Sequence, residues 1–83
     1  MTQTINQEQQ FTTFDLGLTC ALLANDFKLL KLDKNKPTKV LFCFQQENGL
    51  DQAVEDYFSY NLQVDAQTYW DRMKSTKNRL YSS

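Results

Sequence analysis

Trp70, Lys74, Lys77 and Tyr81 stand at i, i+4, i+7 and i+11, so on one helix two aromatic rings and two ammonium groups share a single edge. A flat ring beside mobile positive charge can stack a base and pair with its phosphate. Arg72 and Arg79 fall on the other flank of the same stretch. A second source of positive charge lies upstream, where residues 27–39 hold Lys28, Lys31, Lys34, Lys36 and Lys39 against Asp33 alone. Trp70, Lys74, Lys77, Tyr81, Lys36 and Lys39 are therefore the candidate ligand-binding residues, for a small anion of nucleotide type. The competing structural account makes Trp70 and Tyr81 the border of a core, with lysine stems lying over it and their heads in water.

Other chemistry is poorly supplied. The chain has no histidine, which removes the commonest general base, and neither Cys20 nor Cys43 sits among cations that would favour a thiolate. Each cysteine lies in an apolar segment without CxxC spacing, as expected of buried free thiols. Gly17 and Gly49 are the only glycines, so no glycine-rich phosphate loop exists. Of Asp51, Glu55 and Asp56, the first two share an edge at i and i+4 and could approach a hard cation, but no third ligand is fixed beside them by spacing, and a solvated acidic face is the expectation. No catalytic residue, metal or cofactor is assigned, and the chain is expected not to be an enzyme.

Charge and size narrow the partners. Nine basic and ten acidic residues leave a net charge of -1, which gives no global attraction to nucleic acid or anionic lipid. Its distribution is two-sided, because residues 47–56 carry four acids and no base. At 83 residues one domain is expected, near the size at which burial only just exceeds conformational entropy. No run of about 18 apolar residues and no basic-then-apolar leader is present, so a cytoplasmic location is expected, that of the host cell if the chain is phage-encoded.

The elements that must position these residues centre on Lys39-Val40-Leu41-Phe42-Cys43-Phe44-Gln45, a short aromatic and β-branched run suited to a strand buried on both faces. Residues 1–10 are polar and aperiodic, a flexible tail before a domain of residues 11–83. Thr12, followed by Asp15, resembles a capping box, predicting a helix over 13–24 with Phe11 and Leu16 stapled across its start. Gly17, Ala21 and Ala24 form a stripe of small residues, for close packing on the sheet or a seam between subunits. Residues 27–33 read as an irregular edge strand guarded by Lys28 and Lys31, with turn chemistry at 33–37. Asn48 is placed to cap a helix whose apolar positions are Leu50, Ala53, Val54, Tyr57 and Phe58. Residues 61–64 suit an extended connection, and Asp65 caps a last helix with an apolar face of Ala66, Tyr69, Trp70, Met73, Leu80 and Tyr81. The predicted fold is α+β, a small αββαα domain in which a two-stranded antiparallel hairpin packs with three helices. Two strands cannot hide so apolar a central run, so homo-oligomerisation is expected.

Phe11-Thr12-Thr13-Phe14-Asp15-Leu16, the residues 27–30 and 39–44, Val64-Asp65-Ala66-Gln67-Thr68-Tyr69 and Lys77-Asn78-Arg79-Leu80-Tyr81-Ser82 together resemble a family of small uncharacterised domains of bacteria and mobile elements. The resemblance spans residues 11–82. It implies a compact αββαα unit, no particular activity, and a phage, plasmid or similar context. Three functional classes follow from the residues. The first is a non-enzymatic, homo-oligomeric module capturing a nucleotide-like anion, of the kind a phage would encode for sequestration. The second is an accessory protein holding single-stranded nucleic acid, and the third a protein-interaction or inhibitor module.

Overall fold

Phe44 is the fully enclosed centre of a three-stranded antiparallel sheet, where the sequence predicts a hairpin of two strands. The computed structural model describes residues 10–36 and 38–82. Within them the order is β1 (Gln10–Thr13), α1 (Leu16–Ala24), β2 (Leu29–Lys36), β3 (Lys39–Gln45), α2 (Leu50–Phe58) and α3 (Ala66–Tyr81). The sheet order is β1-β3-β2, so the run around Phe42 is the central strand. Of the tail expected at 1–10, residues 1–9 lie outside the described residues, as does the turn proline at 37, and Gln10 belongs to β1, opposite Gln45.

The extra strand corrects the expected helix start. Phe11 pairs with Phe44 and Thr13 with Phe42, so the segment satisfies its backbone groups across the sheet rather than along a helix. Helix α1 begins three residues later than predicted, and its cap is Asp15, whose Oδ1 accepts from the Leu18 N–H at 2.9 Å. Thr13 turns the corner by accepting from the Asp15 N–H through its hydroxyl at 3.1 Å. At the far end Asn25 is the C-cap and Asp26 after it takes the left-handed conformation, with φ 71°.

Strand β2 is an edge, as expected, and its pairing with β3 is interrupted between Leu29 and Lys31 and again between Asp33 and Lys36. The helices gather on the sheet face that carries Val40, Phe42 and Phe44, where Leu18, Leu22, Leu50 and Ala53 complete the core. Phe11, Leu29 and Leu32 flank it from the outer strands. Phe42 and Phe44 are 2% and 0% exposed within a single chain, because β1 and the helices supply the cover that a lone hairpin lacks. The apolar character of β3 thus does not call for a second subunit.

The first position of the small-residue stripe on α1 faces side chains of α2 and α3 rather than the sheet. A β-carbon on Gly17 would lie 2.6 Å from the Tyr57 hydroxyl of α2 and 3.6 Å from that of Tyr69 on α3, so glycine leaves room for the Tyr57 side chain to lie against α1. Helix α2 is capped by Gly49 at φ 89° rather than by the Asn48 side chain. Cys20 and Cys43 are free and buried, and burial pushes the Cys20 thiol up, against the opposing pull of Thr76 and Lys77. No helix among the described residues is long and apolar enough to cross a membrane.

Asp65 caps α3 as its spacing predicts, accepting from the Thr68 N–H at 2.9 Å and the Thr68 hydroxyl at 2.8 Å. These bonds hold its carboxyl below the ordinary carboxylate range, the backbone bond first. A group whose folded-state pKa is depressed adds stability that is complete above its unfolded pKa and is lost as pH falls through the folded one. The urea midpoint is therefore expected to drop on acidification through and below the usual aspartate range. It should drop less for Asp65→Asn, which keeps an acceptor at the cap but does not titrate, and equal slopes for the two proteins would remove Asp65 from the account.

Candidate functional site

Helix α3 turns Tyr69, Met73, Thr76 and Leu80 inward, which leaves two solvent flanks. On one, Trp70 is 57% and Tyr81 80% exposed, and the Lys74 ammonium lies 5.9 Å from the centre of the Trp70 ring. Lys74 also meets the exposed Asp71 carboxylate at 3.7 Å. Trp70, Lys74, Lys77 and Tyr81 therefore do share one edge, about 16 Å long at helical rise. The edge is the convex back of a helix, and none of the four clefts described below includes any of these residues.

Lys36 and Lys39 are elsewhere, where the β2–β3 hairpin turns. Lys39 sits 5.2 Å over the Phe14 ring, and both lysines join Phe14, Asp33, Asn35 and Leu41 around a cavity of about 180 Å³. A second cavity beside it, of about 280 Å³, runs under Phe14 to Leu80. The sequence-predicted residues thus form two separate groups.

The other flank of α3 holds what spacing along one helix cannot reveal. Arg72, Ser75, Thr76 and Arg79 form one wall of a groove of about 490 Å³, and Leu23, from the last turn of α1, with Asp26, Phe27 and Lys28, from the connection between α1 and β2, form the other. The connection reaches α3 because Asp26 reverses the chain and the Phe27 N–H bonds back to the Leu22 carbonyl at 3.0 Å. Three cations and one carboxylate line the groove, and among the described residues none of Lys28, Arg72 or Arg79 is in an ion pair. Glu47 stands nearby, its carboxylate accepting weakly from the Lys28 backbone N–H at 3.4 Å. Two unpaired guanidiniums about 10 Å apart along the axis, beside a half-buried phenylalanine ring, can grip a phosphate chain and leave an apolar wall for the group it carries.

At the opposite end of α1, Asp15, Tyr57, Phe58 and Tyr60 line a cavity of about 440 Å³. The Tyr57 and Phe58 rings meet edge to face, 5.1 Å apart at 85°. Tyr60 follows α2 in the left-handed conformation, φ 67°, with its side chain 96% exposed. That conformation is usually given to glycine after a helix and costs another residue on the order of 1 kcal/mol. Burial pushes the Tyr57 phenol up, and the negative charge of Asp15 adds to it. Two of the three carboxylates of α2 are engaged locally, Asp51 with Gln46 and Asp56 with Gln52. Among the described residues no three His, Cys, Asp or Glu side chains gather as a metal site.

These features define a small α+β domain, three helices on one face of a three-stranded antiparallel sheet, with an open basic groove on its last helix. The chain belongs to the family described as domain of unknown function DUF5659, whose model matches residues 8–82. No curated protein and no solved structure is significantly similar to it.

Proposed function

We propose that this protein is a non-enzymatic module that captures a small phosphate-bearing anion, such as a nucleotide, in the groove between α3 and the α1–β2 turn. The observation that carries this reading is the convergence of Lys28, Arg72 and Arg79, none of them ion-paired among the described residues, on one concave surface with Phe27 as a wall. A small molecule needs concavity to lose enough water contact, and the Trp70 edge does not offer it. In a titration followed by amide chemical shifts, ATP and inorganic pyrophosphate are expected to saturate at micromolar to millimolar concentration, with shifts centred on Lys28, Arg72 and Arg79. Added salt should weaken both. Absence of saturable binding by either anion would end this reading.

A second reading rests on the exposure of Trp70 and Tyr81 with Lys74 beside the ring. A convex row about 16 Å long suits an extended single strand, its bases on the two rings and its phosphates on Lys74 and Lys77. As Trp70 is the only tryptophan, its fluorescence reports directly. Quenching by a short oligothymidylate that weakens steeply with salt would select this reading over the groove.

A further inference from the structure

We propose that the cavity lined by Asp15, Tyr57, Phe58 and Tyr60 is an aromatic cage for an alkylammonium head group, a site independent of the anion groove. Three aromatic side chains line it, and two of them, the rings of Tyr57 and Phe58, stand at right angles as adjoining walls. Aromatic faces carry negative quadrupole charge, and several of them around one point favour a cation over a neutral group of the same shape. Asp15 supplies the formal charge. Its Oδ1 is engaged by the Leu18 N–H, whereas Oδ2 has no hydrogen-bond partner among the described residues. No lysine or arginine lines the cavity.

Two further facts fit a ligand rather than simple packing. Tyr60 is held in a backbone conformation that disfavours its side chain, yet that side chain is almost wholly exposed, so burial within the chain does not offset the strain. The Tyr57 phenol is pushed up and stays protonated at neutral pH, so it brings no second negative charge and remains an aromatic wall. A metal ion would need more than one carboxylate, whereas a methylated ammonium, weakly hydrated and broad, needs faces rather than ligands.

The test uses choline and its neutral isostere 3,3-dimethylbutan-1-ol, titrated into the full chain while amide shifts of residues 57–61 are followed. Choline is expected to saturate at millimolar concentration and the isostere to bind about tenfold more weakly or not at all. Asp15→Asn keeps an N-cap acceptor but removes the charge, and should weaken choline several-fold at unchanged fold. Tyr60→Gly should weaken choline while raising the urea midpoint, which separates loss of a wall from loss of structure. A peptide bearing trimethyl-lysine, binding more tightly than choline, would assign the head group to a protein; equal affinity would assign it to a small molecule. Equal binding of choline and isostere, no binding of choline, or a Tyr60→Gly variant with unchanged affinity would overturn the proposal.

Discussion

Replacing Phe44 by alanine is expected to cost about 3–5 kcal/mol, the largest single-residue loss the fold offers. Phe44 is 0% exposed, lies on the central strand opposite both Phe11 and Leu29, and has Leu18, Leu22 and Leu50 in the same core. Removal of the ring leaves a void that a sheet pinned from both sides cannot close. A domain of this length has a total stability of about 4–12 kcal/mol, so the substitution should remove from about a quarter of it to all of it and lower the urea midpoint in proportion. Urea unfolding followed by circular dichroism measures this. Leu30→Ala, at a 39% exposed position on the edge strand, is the control and should shift stability by about 1 kcal/mol or less. Equal losses for the two variants would contradict the placement of the core.

The double substitution Arg72→Gln with Arg79→Gln is expected to weaken ATP or pyrophosphate binding by about two orders of magnitude. Each charge-assisted hydrogen-bonding group contributes about 1.5–3 kcal/mol to a charged ligand, the lower figure applying to exposed groups such as these, and one tenfold step is about 1.4 kcal/mol. Both arginines are exposed, so the urea midpoint should scarcely move, apart from a few tenths of a kcal/mol where Arg79 faces the carbonyl end of α3. Lys74→Gln with Lys77→Gln removes the same charge from the opposite flank. That pair should leave anion binding within about twofold, apart from long-range screening. If instead the lysine pair abolishes binding and the arginine pair does not, the anion sits along the Trp70 edge.

The sequence carries the central strand, the edge position and irregularity of β2, the Asp65 cap and the inward face of α3 in local patterns of a few residues. Strand β1 is not legible in that way. Thr12 and Asp15 have the spacing of a capping box, and a four-residue strand has too little alternation to outweigh it. What decides the matter is pairing of Thr13 with Phe42 and of Phe11 with Phe44, 29 and 33 positions away, which no local window contains. The cap signal itself is real but belongs to Asp15, three residues on.

The candidate site divides the same way. Periodicity places Trp70, Lys74, Lys77 and Tyr81 on one edge, and places Arg72 and Arg79 on the other. It cannot tell which edge is concave, because concavity comes from Leu23 at the end of α1 and from Phe27 and Lys28, brought across by the reversal at Asp26. The lysine count of residues 27–39 hints at the groove through Lys28, although Lys36 and Lys39 turn out to serve a different corner. The aromatic cavity has a weaker signal still, since Asp15 and Tyr57 belong to the start of α1 and the end of α2, and only the packing of those helices puts them around one cavity.

Lys34 reaches from β2 to the end of α3, its ammonium donating to the carbonyls of Arg79 at 3.0 Å, Leu80 at 3.4 Å and Ser82 at 3.3 Å. These acceptors belong to peptide groups that a helix terminus otherwise leaves to water. Fraying of the final turn is therefore governed by a side chain forty-five positions upstream of Arg79, and acetylation of that one amine would uncouple the chain end from the sheet, which deuterium uptake in the last turn would register.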